Sequence, residues 1–221
     1  TKAVPEKLST LALGYEESKS EIKNILKISK VLFEEKKDIA LSVAELLEKG
    51  FIVGWFQGRM EAGPRALGQR SILANPTKKI YRDRVNEIVK FREDWRPFCP
   101  SILEDYAEKY FDHYTYAPYM IISFKANEML KKKAPAVVHI DGTVRAQLVN
   151  KNINPLYYKM IDSFRKKTGV AAVLNTSFNI KGEPIVCNAR DALRTFWTSG
   201  IDILAIGDFI VYKPALNLKD I

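Results

Sequence analysis

Strand-length apolar runs alternate with charged stretches of helical period along this 221-residue chain, and that alternation confines it to an α/β architecture. From 19 to 37, Ile22, Ile25, Leu26, Ile28, Val31 and Leu32 recur at three- and four-residue steps, which predicts a helix capped by Ser20. Residues 39–49 predict a second helix with Leu41, Ala44 and Leu47 on one side and Gly50 as its stop. A buried strand at 51–56 follows. Thr77 predicts the cap of a helix reaching about Phe91, with Ile80, Val85, Ile88 and Val89 inward. The stretches 119–124, 137–140 and 143–149 read as extended, and Asp141-Gly142 between the last two is a hairpin signal. Asn154-Pro155 opens a helix that Gly169 ends, 170–174 is a strand, Asn188 caps a helix to Ser199, and strands at 202–206 and 209–212 complete the pattern. The expected fold is α/β with a mixed sheet.

Composition sets further bounds. At 47% hydrophobic residues the chain has enough apolar material for a core. Lys plus Arg number 35 against 26 Asp plus Glu, so the net charge of +9 makes anions the expected partners. No apolar run approaches the length of a membrane span. Cys99 and Cys187 lie far apart, and His113 and His139 have no ligand spacing, so neither a disulfide framework nor a metal site is legible. A reducing cytoplasm is the expected setting. The first ten residues lack the apolar segment of a secretory signal and are expected of a chain cut from something longer. Residues 1–38 read as a polar lead-in or linker from a missing domain, and 39–221 as the folded domain. Lys131-Lys132-Lys133 reads as a solvated helix end or as a nucleic-acid contact.

Four segments carry the polar chemistry. Residues 58–71 follow a strand, and their glycines allow close backbone approach while Arg59, Arg65 and Arg70 offer forked donors for phosphate or carboxylate oxygens. The segment is neither a Walker loop nor a dinucleotide fingerprint. A glycine-rich turn with surface arginines is the plain alternative. Residues 90–98 end a helix in a basic cluster that turns at Pro97, so Lys90 and Arg96 either converge on one ligand or pair with Glu93 and Asp94. Residues 139–145 form a turn presenting Asp141 and Arg145. Residues 174–179 leave a strand with Asn175, Thr176 and Ser177 as neutral hydrogen-bonding groups, at the strand end where α/β sheets place ligands.

Taken in order, GRMEAGPRALGQRSILANP, VKFREDWRPFCPSI, PYM, HIDGTVRAQLV and TGVAAVLNTSFNIKGEPIV resemble the carboxyl-terminal, YrdC-like domain of NodU/CmcH-type O-carbamoyltransferases, over about 54–212. The resemblance implies a YrdC-like twisted mixed sheet flanked by helices. It also implies ATP with Mg²⁺ and carbamoyl phosphate as ligands, and formation of carbamoyl adenylate. By motif position the resemblance makes Arg65, Lys90, Arg96, Arg145, Asn175 and Ser177 the binding residues, with Lys90, Arg96, Arg145 and Ser177 closest to the chemistry. It implies no protein nucleophile, so both cysteines are bystanders, and no dedicated metal ligands. An amino-terminal actin/sugar-kinase-like domain would pass the carbamoyl group to a hydroxyl acceptor. Two alternatives share the fold: a threonylcarbamoyl-adenylate synthase using threonine and bicarbonate, and a non-catalytic module binding double-stranded RNA through its phosphates.

Overall fold

The computed structural model describes residues 8–91, 93 and 98–213. In chain order the elements are α1 (Lys19–Ile28), β1 (Phe33–Glu35), α2 (Ile39–Glu48), β2 (Val53–Phe56), β3 (Arg70–Ala74) and α3 (Lys79–Val85). A π-helical turn (Asn86–Lys90) leads to β4 (Cys99–Leu103), α4 (Ala107–Tyr110), β5 (Phe124–Lys125), α5 (Glu128–Lys133), β6 (Thr143–Val144) and β7 (Gln147–Val149). The chain closes with α6 (Pro155–Thr168), β8 (Ala172–Ser177), α7 (Ala189–Trp197), β9 (Ile203–Ile206) and β10 (Phe209–Tyr212).

Eight strands form one sheet in the order β1-β10-β9-β2-β3-β8-β4-β7. The pairs β2/β9 and β4/β7 are parallel and the others antiparallel, so the sheet is mixed as expected. Its strands β2, β3, β4, β9 and β10 are buried at every residue, which explains the near-continuous apolar sequence of β2, β9 and β10. Helices α2 and α6 pack on each other and against β2, β4 and β8, while α7 packs on β2 and β9 and contacts α1. The small ribbon β5/β6 stands apart from the sheet.

Local hydrogen bonding accounts for the helix boundaries. Asn154 caps α6 through the Tyr157 N–H, Pro155 takes the first turn, and Gly169 ends the helix at φ 75°. Asn188 and Asp191 cap each other at the start of α7. At α1 the cap is Ser18 rather than Ser20, because Ser18 and Glu21 exchange the reciprocal pair of cap bonds. That helix stops at Ile28 instead of reaching Lys37: Lys30 takes φ 53°, and 33–35 leave as the edge strand β1 on β10. Helix α3 begins after Lys78, since the Thr77 hydroxyl is used on Asn75, and Ile80 and Leu41 face solvent rather than the core. Asp141-Gly142 does form a turn, but β6 pairs with β5, because Val137 is drawn into a 3₁₀ turn.

From Leu11 onward, the stretch read as a lead-in is packed into this body. Ile22 and Leu26 are core residues, β1 is a sheet strand, and residues 11–15 run along the loop after β2. There the Ala62 N–H donates to the Leu11 carbonyl at 2.7 Å and the Met60 N–H to the Tyr15 carbonyl at 2.8 Å.

Candidate active site

Between β2 and β3 the chain makes a loop whose second half is held at nearly every backbone atom. Glu61, only 5% exposed, accepts from the N–H groups of Leu67 (2.7 Å), Gln69 (2.8 Å) and Arg70 (3.1 Å). The carbonyl of Ala66 accepts from Asn175 Nδ2 at 3.0 Å, that of Leu67 from Gln147 Nε2 at 2.9 Å, and that of Gly68 from Trp55 Nε1 at 2.9 Å. Gly68 sits at φ +97°, and a Cβ there would lie 2.3 Å from the ring of fully buried Tyr157, so both the backbone angle and the space require glycine. Pro64 and Arg65 project from this fixed base.

The three arginines expected to offer donors to an anion have different fates. Arg70 is fully buried, stacks 3.6 Å from the Phe56 ring centroid and donates to the carbonyls of Gln57 (2.8 Å) and Tyr15 (3.3 Å). Burial lowers its pKa to about 10, against the opposing pull of Glu61. Arg59 donates to the carbonyls of Leu13 and Gly14. Both are structural cations whose forks are taken up by backbone oxygens. Arg65 alone of the three faces the hollow described next.

That hollow, of about 130 Å³, brings together Arg65 from the loop, Arg145 from beyond the 141–142 turn, and Asn175 and Ser177 from β8. Cys99 and Met120 complete its wall. Arg145 donates through Nε (3.3 Å) and Nη2 (3.2 Å) to Cys99 Sγ, so a cysteine expected to be a bystander orients one of the site's cations. Asp141, by contrast, is absorbed by its own turn: its carboxylate accepts from the Thr143 N–H and hydroxyl, which hold its pKa below the usual carboxylate range.

Lys90 stands behind the wall rather than on it. Its ammonium donates to the Ser177 carbonyl (2.6 Å), the Asn179 carbonyl (2.8 Å) and Asn179 Oδ1 (2.9 Å), fixing the chain as it leaves β8. The π-helical turn delivers it there and ends in Phe91 at φ 47°. Arg96, and with it the convergence of Lys90 and Arg96 across Pro97, lies outside the described residues.

A buried relay joins three strands beneath the hollow. Asn175 Nδ2 donates to Ser101 Oγ (2.9 Å), Ser101 Oγ to Gln147 Oε1 (2.7 Å), and Gln147 Nε2 to the Leu67 carbonyl. Glu61, Ser101, Gln147 and Cys99 were not singled out for the site from sequence. The partners of Ser101, Gln147 and Cys99 lie 46 to 80 residues away, so no local spacing marks them, whereas Glu61 bonds backbone six to nine residues ahead in its own loop. Among the described residues no three His, Cys, Asp or Glu side chains come together as a metal-ligand set, and no helix is long and apolar enough to cross a membrane.

Comparison with known proteins bears on this arrangement. The sequence profile of a family described as Carbamoyltransferase C-terminus matches residues 44–213. Nodulation protein NolNO of Sinorhizobium fredii is 45% identical over 186 residues, covering 83% of this chain and 27% of that protein. The 3'-hydroxymethylcephem-O-carbamoyltransferase of Amycolatopsis lactamdurans is 38% identical over 162 residues, covering 73% of the chain and 31% of that protein. The chain thus spans about a third or less of these relatives. Among solved structures, full-length HypF in a phosphate- and nucleotide-bound form gives a TM-score of 0.57 at 18% identity, over 76% of this chain and 24% of that one. The P. abyssi Sua5 complex with L-threonine gives 0.57 at 15%, over 76% and 46%. At such identities these two show the fold alone, which is the expected YrdC-like one. With its profile matched from the second helix to the last strand, this chain belongs to the carbamoyltransferase C-terminus family.

Proposed function

We propose that this chain binds ATP and carbamoyl phosphate and forms carbamoyl adenylate, which a second, actin/sugar-kinase-like domain uses to carbamoylate a hydroxyl acceptor. The observation that carries this reading is the meeting of Arg65, Arg145, Asn175 and Ser177, from three separate segments, around one hollow. Two guanidinium forks and neutral polar groups in one place suit reactants that bring several phosphate charges. Carbamoyl phosphate gives carbamate and inorganic phosphate on reaction with water. A carbamate oxygen then attacks the α-phosphorus of ATP, and the bond to the β-phosphate oxygen breaks to release pyrophosphate. Such transfer depends on position and charge neutralisation and needs no protein nucleophile.

Arg65 and Arg145 hold the anionic oxygens, and Lys90 secures the Ser177–Asn179 backbone from behind. Mg²⁺ enters on the phosphates of ATP, whose oxygens are the hard ligands it takes. The bonds of residues 11–15 to the site's loop support counting them with this domain rather than with a linker. The setting is a reducing cytoplasm in which Cys99, against Arg145, stays a thiol.

The test is pyrophosphate release from ATP and Mg²⁺ with carbamoyl phosphate present or withheld, with carbamoyl adenylate followed by mass spectrometry. Release is expected only with carbamoyl phosphate, and Arg145→Ala is expected to lower it by roughly 100-fold without changing the thermal midpoint by more than a few degrees. A folded chain that releases pyrophosphate only with threonine and bicarbonate, or not at all, refutes the proposal.

A further inference from the structure

We propose that residues 8–15 are a clasp that ties the Arg65 loop to the loop carrying Met120, and that Tyr119 and Gly14, at its two ends, are positioning residues for the ligand in the hollow. Their role belongs to the reaction proposed above and rests on that reading.

Two loops that line the hollow meet this stretch. Arg65 stands between β2 and β3, and Met120 in the irregular chain between α4 and β5. On the first side, residues 11–15 run antiparallel to 60–62. The Gly14 N–H donates to the Met60 carbonyl at 2.8 Å, and the Met60 and Ala62 N–H groups donate back to the carbonyls of Tyr15 and Leu11. The approach is close: a Cβ on Gly14 would lie 3.0 Å from the Met60 carbonyl oxygen. Arg59 adds its fork to the carbonyls of Leu13 and Gly14. This ribbon fixes the backbone of Glu61, whose carboxylate then holds the N–H groups of Leu67, Gln69 and Arg70. On the second side the Tyr119 hydroxyl donates to the Leu8 carbonyl at 2.6 Å.

The spacing of the two attachments limits how far the loops can part. Leu8 and Leu11 are three residues apart, and three residues of fully extended chain span at most about 11 Å. A cavity of about 40 Å³ lies along the clasp, with residues 9–12, Glu61, Leu67 and Tyr119 among its walls, so the clasp bridges a gap there. Where the loops do touch, the contact is a small apolar cluster of Leu67, Cys99 and Met120, apart from the main core, against which Leu11 and Tyr119 pack. Met120 is buried at φ 54°, a left-handed conformation that residues other than glycine rarely adopt, so its place is imposed by what surrounds it. Its chain neighbour Tyr119 is the residue the clasp holds. Releasing either end therefore loosens a wall of the hollow without touching the cations in it.

The test follows pyrophosphate release from ATP and Mg²⁺ against carbamoyl phosphate concentration, on the whole chain. Tyr119→Phe removes one exposed hydrogen bond and keeps the ring in the cluster. It is expected to raise KM for carbamoyl phosphate by about 3-fold to 10-fold, the size of one hydrogen bond, with kcat within about 2-fold and the thermal midpoint within a few degrees of wild type. Gly14→Ala sets a methyl group against the Met60 carbonyl and is expected to act alike. Since a clasp freed at one end no longer ties the loops, the double variant should lose no more than the worse single one. Losses that multiply, a KM unchanged in both single variants, or a fall in kcat alone that tracks a lowered midpoint overturns the clasp and leaves the proposed function standing. A wild type that releases no pyrophosphate with carbamoyl phosphate overturns that function, and this role with it.

Discussion

Replacing Glu61 with alanine removes the acceptor on which three backbone N–H groups converge. Two of the donors, on Leu67 and Arg70, belong to buried residues, whereas Gln69 is partly exposed and can be solvated. An orphaned buried donor costs about 1–3 kcal/mol, so the two together cost about 2–6 kcal/mol. For a domain of this size each kcal/mol moves the thermal midpoint by about 2–4 °C, and a loss near the middle of that range lowers it by roughly 10 °C. Glu61→Gln separates charge from geometry. Its oxygen can keep the bonds from Leu67 and Gln69, but its amide nitrogen then faces the Arg70 N–H, and a smaller loss of about 1–2 kcal/mol is expected. Circular dichroism melts and urea titrations of both variants measure these losses. A Glu61→Ala midpoint within about 1 °C of wild type would refute the claim that this carboxylate staples the Arg65 loop.

Two further outcomes are expected. Gly68→Ala meets both a left-handed backbone angle and the Tyr157 ring, and should cost roughly 2–5 kcal/mol in urea unfolding; Gly63→Ala, at φ +104° with nothing within 4 Å, should cost only the backbone part, about 1–2 kcal/mol. Equal losses in the two variants would remove the steric argument. His139 presents Nδ1 to Thr143 Oγ1, whose hydrogen is already given to Asp141, so Nδ1 carries the proton and the buried Nε2 is left without a partner. Burial lowers the pKa of His139, with Arg145 adding to the effect and Asp141 opposing it. The unfolded chain therefore takes up a proton near pH 6.5 that the folded one resists, and stability is lost as pH falls through that value. Urea midpoints at pH 7.5 and 5.5 should drop further for wild type than for His139→Gln, and an identical drop would contradict this.

How much of this was legible in the sequence depended on the range of the forces involved. Asn154, Pro155, Gly169 and Asn188 act within one helical turn, and the boundaries of α6 and α7 were accordingly readable. Strands β3 and β4 were not, because Arg70, Ser71, Pro100 and Ser101 give them a polar look that burial contradicts. Their polar side chains find tertiary partners: the Arg70 Nη2 at Tyr15 and Cys187, with its Nε unpartnered among the described residues, and Ser101 at Gln147 and Asn175. The same reason divides the site. Arg65, Arg145, Asn175 and Ser177 stand in segments whose motifs announced them, and the hollow gathers all four. Gln147 and Ser101, whose partners lie 46 to 80 residues away, show their roles only once the chain is folded.

The handling of buried charge explains why the hollow stays cationic. Glu61 and Arg70 are both buried, yet the hydrogen bonds they form among the described residues are with main-chain N–H and carbonyl groups. Backbone partners are set by the fold itself and carry no net charge, so they replace the lost water around these ions without consuming other ions. Among the described residues, Arg65 and Arg145 then keep their guanidinium groups clear of any carboxylate, even in a chain with 26 acidic residues. Arg145 leans on a sulfur instead, a weak acceptor that orients the fork without neutralising it. Under the function proposed above, an entering phosphate would meet two cations and displace no protein anion, and the field that attracts it would be in place before it arrives.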